Sequence, residues 1–371
     1  MKSAVRIFGV GLWWWGIAAV GFAIGGCARK PVPPLKFNAE ETLRHLGEER
    51  KLVVFFNGPA LEELRVRRPV WLMESDAQGQ SERVRAMVQA AQNPVLFRQL
   101  DRQEHFGVLL LAGDPIQSRP LLEHLWKSGD WSLEWADAFA LVYRRGNQTE
   151  ALPQRVGQVR EGWRVLENRE RAERLALLGD RLVAAKRMTE ARAVLDEGTS
   201  VMGGHPPVLA AEGRYRLERG EWDQAVAFSD RALRADPNHR PSLSVKAQAL
   251  YFSKRFREAY RVSQRLLADS PEDPLMLFAH AKIAHEVGAY SEELEVLNRL
   301  IAAAEAQKRS TSYYRVFLGR VLAKTGNGDG AIRELSLALQ DPELAAKERE
   351  FAEDTLRRVR MRLEELTPQA P

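Results

Sequence analysis

Residues 206–239 read PPVLAAEGRYRLERGEWDQAVAFSDRALRADPNH. Apolar residues recur at helical spacing on both sides of Arg219-Gly220-Glu221, so the stretch reads as two helices and a tight turn. Gly213 and Ala225 are small enough to let the two helices approach closely, and Gly220 suits the turn. Trp222 is the large residue that packs over the pair. Pro237 ends the second helix. A helix pair of this size leaves an apolar face open and needs neighbours to cover it.

Those neighbours are present in the chain. Ala191, Ala225 and Ala259 stand 34 residues apart, Glu293 continues at 34, and Ala331 follows after 38, the extra residues falling in 303–309. Twelve positions before them are Gly179, Gly213, Ala247, Ala281 and Gly319. Five before are Lys186, Gly220, Lys254, Gly288 and Gly326, and three before are Met188, Trp222, Phe256, Tyr290 and Gly328. This period and pattern resemble the tetratricopeptide repeat (TPR). The resemblance implies an all-α solenoid of about five helix pairs over residues 156–342. Three departures stand out. Glu293 occupies a small-residue position, which predicts looser packing in the fourth unit; Gly328 replaces the aromatic in the fifth; and the first unit is degenerate after Leu195. Residues 343–366 are expected to form a capping helix, with Leu344, Phe351, Leu356, Val359 and Leu363 on one stripe.

Upstream, over residues 37–152, the period changes. Lys51–Phe56 is a short β-branched and aromatic run closed by Asn57-Gly58-Pro59, and Pro69–Met73 and Phe106–Leu111 are further candidate strands. Residues 81–92, 95–103 and 119–127 carry helical stripes, and 131–135 with 138–144 reads as a hairpin bending near Asp137. The expectation is a small α/β domain preceding the solenoid, a multidomain architecture. The order RRPVWL (67–72), FGVLLLAG (106–113), LLEHLWKSGDWSLEWADAFALVYRRG (121–146) resembles the soluble extracytoplasmic domain of polytopic bacterial membrane proteins of the lipid-linked glycosyltransferase type. That resemblance implies an exported module. The membrane part that would carry transfer chemistry has no counterpart here.

The amino-terminal segment points the same way. Lys2 and Arg6 precede an uncharged apolar run from Ile7 to Ile24, which includes Trp13, Trp14 and Trp15 and leads into Gly25-Gly26-Cys27. Residues 1–26 thus resemble a bacterial lipoprotein signal, which implies diacylation of Cys27 by palmitate-class chains and cleavage before it. The run is also long enough to span a bilayer, so an uncleaved anchor stays open. Residues 27–36 then form a Pro-rich tether. Ala28 lacks the retention-type Asp, which by the usual lipoprotein sorting pattern points to a periplasm-facing position on the outer membrane.

Composition agrees with a globular exported protein: 371 residues, 45% hydrophobic and 28% charged, with a mean hydropathy of −0.36. One cysteine excludes an internal disulfide and a cysteine-based zinc site. The net charge of +5 is dispersed through alternating signs, which argues against a nucleic-acid partner. No phosphate-binding loop, nucleophile elbow or zincin motif occurs. His280 and His285 lack the spacing of a metal pair, and Gly326–Gly330 (GNGDG) lacks the acids of a calcium loop and reads as a turn. Glu74, Asp76, Asp101 and Asp114 fall near strand ends without a nucleophile beside them. No cofactor, metal or catalytic residue is therefore expected.

The remaining feature is the groove that the TPR resemblance implies. Its ligand contacts come from the first helix of each pair, where one register carries Asp180, Arg214, Gln248, Lys282 and Arg320. Tyr251, Phe252, Phe278, His285, Tyr313 and Lys324 fall at nearby positions. A basic strip with aromatics suits an extended peptide bearing acidic groups. The expected role is a membrane-anchored, non-enzymatic scaffold for envelope proteins. The alternative is an accessory of envelope glycan or exopolysaccharide transfer, with the α/β domain holding a saccharide.

Overall fold

The computed structural model describes the backbone of residues 52–55 and 90, and residues 93–112, 118–146, 151–269, 271–306, 310–342 and 344–366. All belong to the second of two compact units, Phe37–Pro371. Cys27, Glu74, Asp76 and Asp114, the expected strand at 69–73 and most of the helix at 81–92 lie outside the described residues.

The first part is a four-stranded sheet ordered β1-β2-β4-β3. Its strands are β1 (Leu52–Phe55), β2 (Val108–Ala112), β3 (Trp131–Ala136) and β4 (Ala140–Arg145), with helices α1 (Pro94–Glu104) and α2 (Arg119–Ser128) between them. β1 runs parallel to β2, and β4 pairs antiparallel with both β2 and β3. The hairpin turns on Asp137 as expected. Its carboxylate accepts the backbone N–H groups of Phe139 and Ala140 at 2.7 and 2.8 Å and the Trp135 indole N–H at 3.1 Å. A register shift between Leu133 and Trp135 leaves Glu134 in a bulge, where it pairs with Arg144 and Arg155 at 2.6 and 3.0 Å.

After α3 (Leu152–Gly162) come five helix pairs: α4 (Asn168–Ala184) and α5 (Met188–Met202); α6 (Pro206–Glu218) and α7 (Trp222–Ala235); α8 (Arg240–Phe252) and α9 (Phe256–Asp269); α10 (Pro274–Val287) and α11 (Tyr290–Ala306); α12 (Ser312–Lys324) and α13 (Gly328–Leu339). The final helix is α14 (Ala346–Leu366). Every second helix starts on the residue that stands three before the small position. All five inter-helix turn residues have positive φ: Lys186 59°, Gly220 77°, Lys254 61°, Gly288 79° and Gly326 86°. The Gly326–Gly330 segment is a turn and cap, with the Asn327 side chain accepting the Gly330 N–H at 2.9 Å. The small residues are required by contact. A Cβ on Gly179 would come within 2.5 Å of Leu195, and one on Gly319 within 2.5 Å of Leu335.

One apolar core runs from the sheet through the first helix pair to α6, joining Phe97, Leu110, Leu122 and Val142 to Trp163, Leu175, Leu195 and Tyr215. Three further clusters continue it through the later pairs. The hairpin covers the first end of the array: Arg181 of α4 is buried and donates to the Ala138 carbonyl, and Arg174 lies over the Phe139 and Trp163 rings. At the other end α14 packs Ala352 and Leu356 inward, while Phe351, expected on that stripe, is exposed. The rest of the expected stripe faces inward, with Leu344 and Leu356 buried, Val359 half-buried and Leu363 leaning onto Gly328, within about 3.0 Å of where a Cβ would sit. The fifth pair therefore lacks its aromatic because the cap supplies the apolar side chain from outside.

Candidate functional site

Among the first helices of the pairs, α4 packs beside α6 and α6 beside α8. Beyond α8 the row continues through side chains, from Tyr251 of α8 to Lys282 and Phe278 of α10 and Phe317 of α12, and this part holds the candidate site. Lys282 sits half-buried on α10, with its ammonium 5.8 Å from the Tyr251 ring centroid and 5.6 Å from that of Phe278. It forms no ion pair or hydrogen bond with a described residue. Burial, then the charges of Arg320 and Arg119, pull its pKa below the usual lysine value. A cation desolvated without a carboxylate is a standing cost that an incoming anion can offset.

Aromatic rings surround it. Phe278 packs edge-on to Phe317 at 4.9 Å and lies 5.1 Å from Tyr313, joining α10 to α12. Tyr313 remains 39% exposed, Leu275 40% and Phe252 52%, so the row presents apolar surface to solvent. Burial, then Glu348 and Tyr314, pushes the Tyr313 hydroxyl pKa up to about 12, so it stays a neutral donor. The Tyr251 hydroxyl is raised as well, by burial first and then by Glu286. Phe252 stacks on Trp222 at 5.1 Å.

The other expected contact residues are placed differently. Arg214 donates to Asp180, its counterpart one repeat earlier, at 3.2 Å. Arg320 donates to Glu293 at 2.9 Å, and His285 Nδ1 lies 2.8 Å from the same carboxylate. The strip therefore carries less open positive charge than its composition suggests, because acids in register neutralise part of it. Gln248 spends its amide on the carbonyl and hydroxyl of Ser244 at 3.3 and 3.2 Å. Lys324 is exposed at the end of α12. Glu293 is fully buried at the small-residue position of the fourth unit, where its carboxylate bridges α10 and α12. A charged residue in a small-residue register was its visible signal. Arg119, which reaches Glu218 of α6 at 3.1 Å beside Lys186 at 2.6 Å, had none, since it lies outside the repeats.

The other chemistry-bearing clusters are structural. Asp101, a strand-end candidate, lies on α1 and pairs with Arg145. Ser263 Oγ lies 2.8 Å from His280 Nδ1, and His280 Nε2 faces Glu292 at 3.0 Å, but Ser263 and His280 are buried and the hydroxyl also donates to the Tyr260 carbonyl. The same register holds Glu212, bound by Arg192 at 2.9 Å, and Lys246, bound to Asp230 at 2.6 Å. These are polar links from one repeat to the next. A cleft of about 680 Å³ between α2, α3 and the first repeat turn is lined by Trp126, Val156, Arg160, Lys186 and Arg187, and its three cations are paired, with Glu197, Glu218 and Glu190. Among the described residues no cluster of His, Cys, Asp and Glu is placed to hold a metal, and no helix is long and apolar enough to cross a membrane.

Residues 216–283 match a tetratricopeptide repeat family model. No curated protein sequence matches the chain. Similar solved structures include pilF of Pseudomonas aeruginosa, 16% identical over 55% of this chain and 95% of that one, with a TM-score of 0.43. MamA from Desulfovibrio magneticus RS-1 is 17% identical over 45% of this chain and 92% of that one, at 0.40. YrrB, described as a TPR protein with an unusual peptide-binding site, is 15% identical over 45% and 84%, at 0.39. The family match falls within the second to fourth of the five helix pairs.

Proposed function

We propose that this chain is an exported lipoprotein, held on the outer membrane through acyl groups on Cys27, whose TPR row binds an extended, carboxylate-bearing segment of an envelope protein without catalysing a reaction. One observation carries the binding reading: Lys282 is desolvated among aromatic rings with no described carboxylate to balance it. The apolar run before Cys27 and the Pro-rich stretch after it support the anchoring. We read residues 37–152 as a small α/β domain whose sheet closes the first end of the array. No described feature of the sheet favours the saccharide-binding alternative.

The test is affinity capture from envelope extract with the full chain, repeated with Lys282→Glu. Loss of the captured protein with circular dichroism unchanged is the expected result. Capture that survives the replacement, or no capture above background, overturns the reading.

A further inference from the structure

The position of Glu293 adds a limit to that groove. Four of the five repeats hold alanine in its register, Ala191, Ala225, Ala259 and Ala331, where the two helices of a pair touch. Glu293 sends a carboxylate from that contact toward the row, fully buried, with Arg320 at 2.9 Å and His285 at 2.8 Å. A buried carboxylate is tolerated only while its partners stay in place, so Arg320 and His285 are held firmly. Both keep an open side: their side chains are 22% and 18% exposed. Of the row's cations packed against aromatic rings, Arg320 over Phe317 is spent on Glu293, and Lys282 over Tyr251 and Phe278 pairs with no described carboxylate. Lys324 is out in solvent, where salt screens it.

Building on the groove reading above, we propose that Glu293 sets the charge of the ligand. It occupies Arg320 and His285 from within, so the groove takes an extended peptide carrying a single carboxylate flanked by apolar or aromatic side chains. That carboxylate meets Lys282, and its neighbours lie against Phe278, Tyr313 and Phe252. Runs of acidic residues are disfavoured, since Glu293 already takes the charge of Arg320 and a further carboxylate finds no uncommitted cation beside Lys282 among the described residues. Glu293 is a positioning and selecting residue and does not touch the ligand.

The test is a random decapeptide array probed with the labelled full chain as wild type, Glu293→Ala, Glu293→Gln and Lys282→Glu. Glu293→Ala installs the residue the register holds elsewhere, and Glu293→Gln keeps the volume should the alanine variant fail to fold. Wild type is expected to retain peptides averaging one acidic residue between apolar ones. Both Glu293 variants are expected to shift to two or more acids, with diacidic peptides gaining about tenfold in affinity. If wild type retains nothing beyond Lys282→Glu, the groove reading itself fails. If wild type selects peptides but already prefers acidic runs, or if the acid count is unchanged in the Glu293 variants, the groove reading stands and the role of Glu293 is refuted.

Discussion

Arg181, on the first repeat helix, donates through Nε to the carbonyl oxygen of Ala138 in the β3–β4 bend at 3.1 Å. The two residues are 43 positions apart, and the bond ties the sheet to the solenoid through a buried guanidinium. Replacing Arg181 by Met keeps the packing volume and leaves the carbonyl without this donor. The expected loss is about 1.5–3 kcal/mol, the range for a hydrogen bond to a charged group. Urea unfolding followed by both tryptophan fluorescence and far-ultraviolet circular dichroism reads it. The two signals should coincide in the wild type and separate in the variant; coincidence in both would show that the sheet does not depend on this link.

The lowered pKa of Lys282 gives the groove a pH dependence with a definite sign. Below the folded-state pKa the lysine is charged in both folded and unfolded chains, and its desolvation penalty is fully present. Between that pKa and the ordinary lysine value of 10.5 the unfolded chain keeps the proton that the folded chain gives up. Stability from this group therefore rises with pH across that window. An anionic ligand favours the charged form, so affinity for an acidic peptide should fall across the same window. Fluorescence anisotropy of a peptide selected on the array, titrated from neutral pH to the top of the window, measures this. A Lys282→Met variant should bind weakly with a flat profile, and a flat profile in the wild type refutes the assignment.

Lys254 holds a turn in the left-handed region, at φ 61°, where its counterparts Gly220, Gly288 and Gly326 have no Cβ. It is exposed, unlike Lys186, which also binds Glu218. Lys254→Gly should therefore stabilise the protein by roughly 0.5–1 kcal/mol, the relief of Cβ strain less the entropy added to the unfolded chain. Thermal melting of the purified chain checks it. A lower melting temperature would mean that the lysine side chain contributes more than its backbone costs.

Cys27→Ser should block processing of the amino-terminal segment or release the protein from membranes. Fractionation and mass spectrometry of the mature amino terminus read both results. A serine variant that is processed normally and remains membrane-bound removes the lipoprotein assignment.

The repeats were legible because a close helix contact leaves few choices: Gly179 and Gly319 sit where a single added carbon would strike a leucine. The same period placed all five left-handed turns and the first residue of every second helix. The hairpin was legible from its alternation and from Asp137. The parallel pairing of β1 with β2 was not, because it joins strands more than fifty residues apart and no local pattern encodes it. In the groove, the identities of the lining residues could be read, but their partners could not. Arg214–Asp180 and Arg320–Glu293 connect different repeats, so their charges cancel only once the array is stacked. Arg119 meets Glu218 across 99 positions, beyond the reach of any repeat register.

A stack of identical-looking units has an inherent hazard. Its last hydrophobic face matches the first face of another copy, and nothing in the pairing geometry tells the chain where to stop. Here the hairpin bearing Ala138 and Phe139 occupies one terminus and α14 the other, each with side chains that no repeat would offer. Head-to-tail joining of copies would have to displace one of these plugs, so the stack of helix pairs is closed at both ends and its flank has a fixed length.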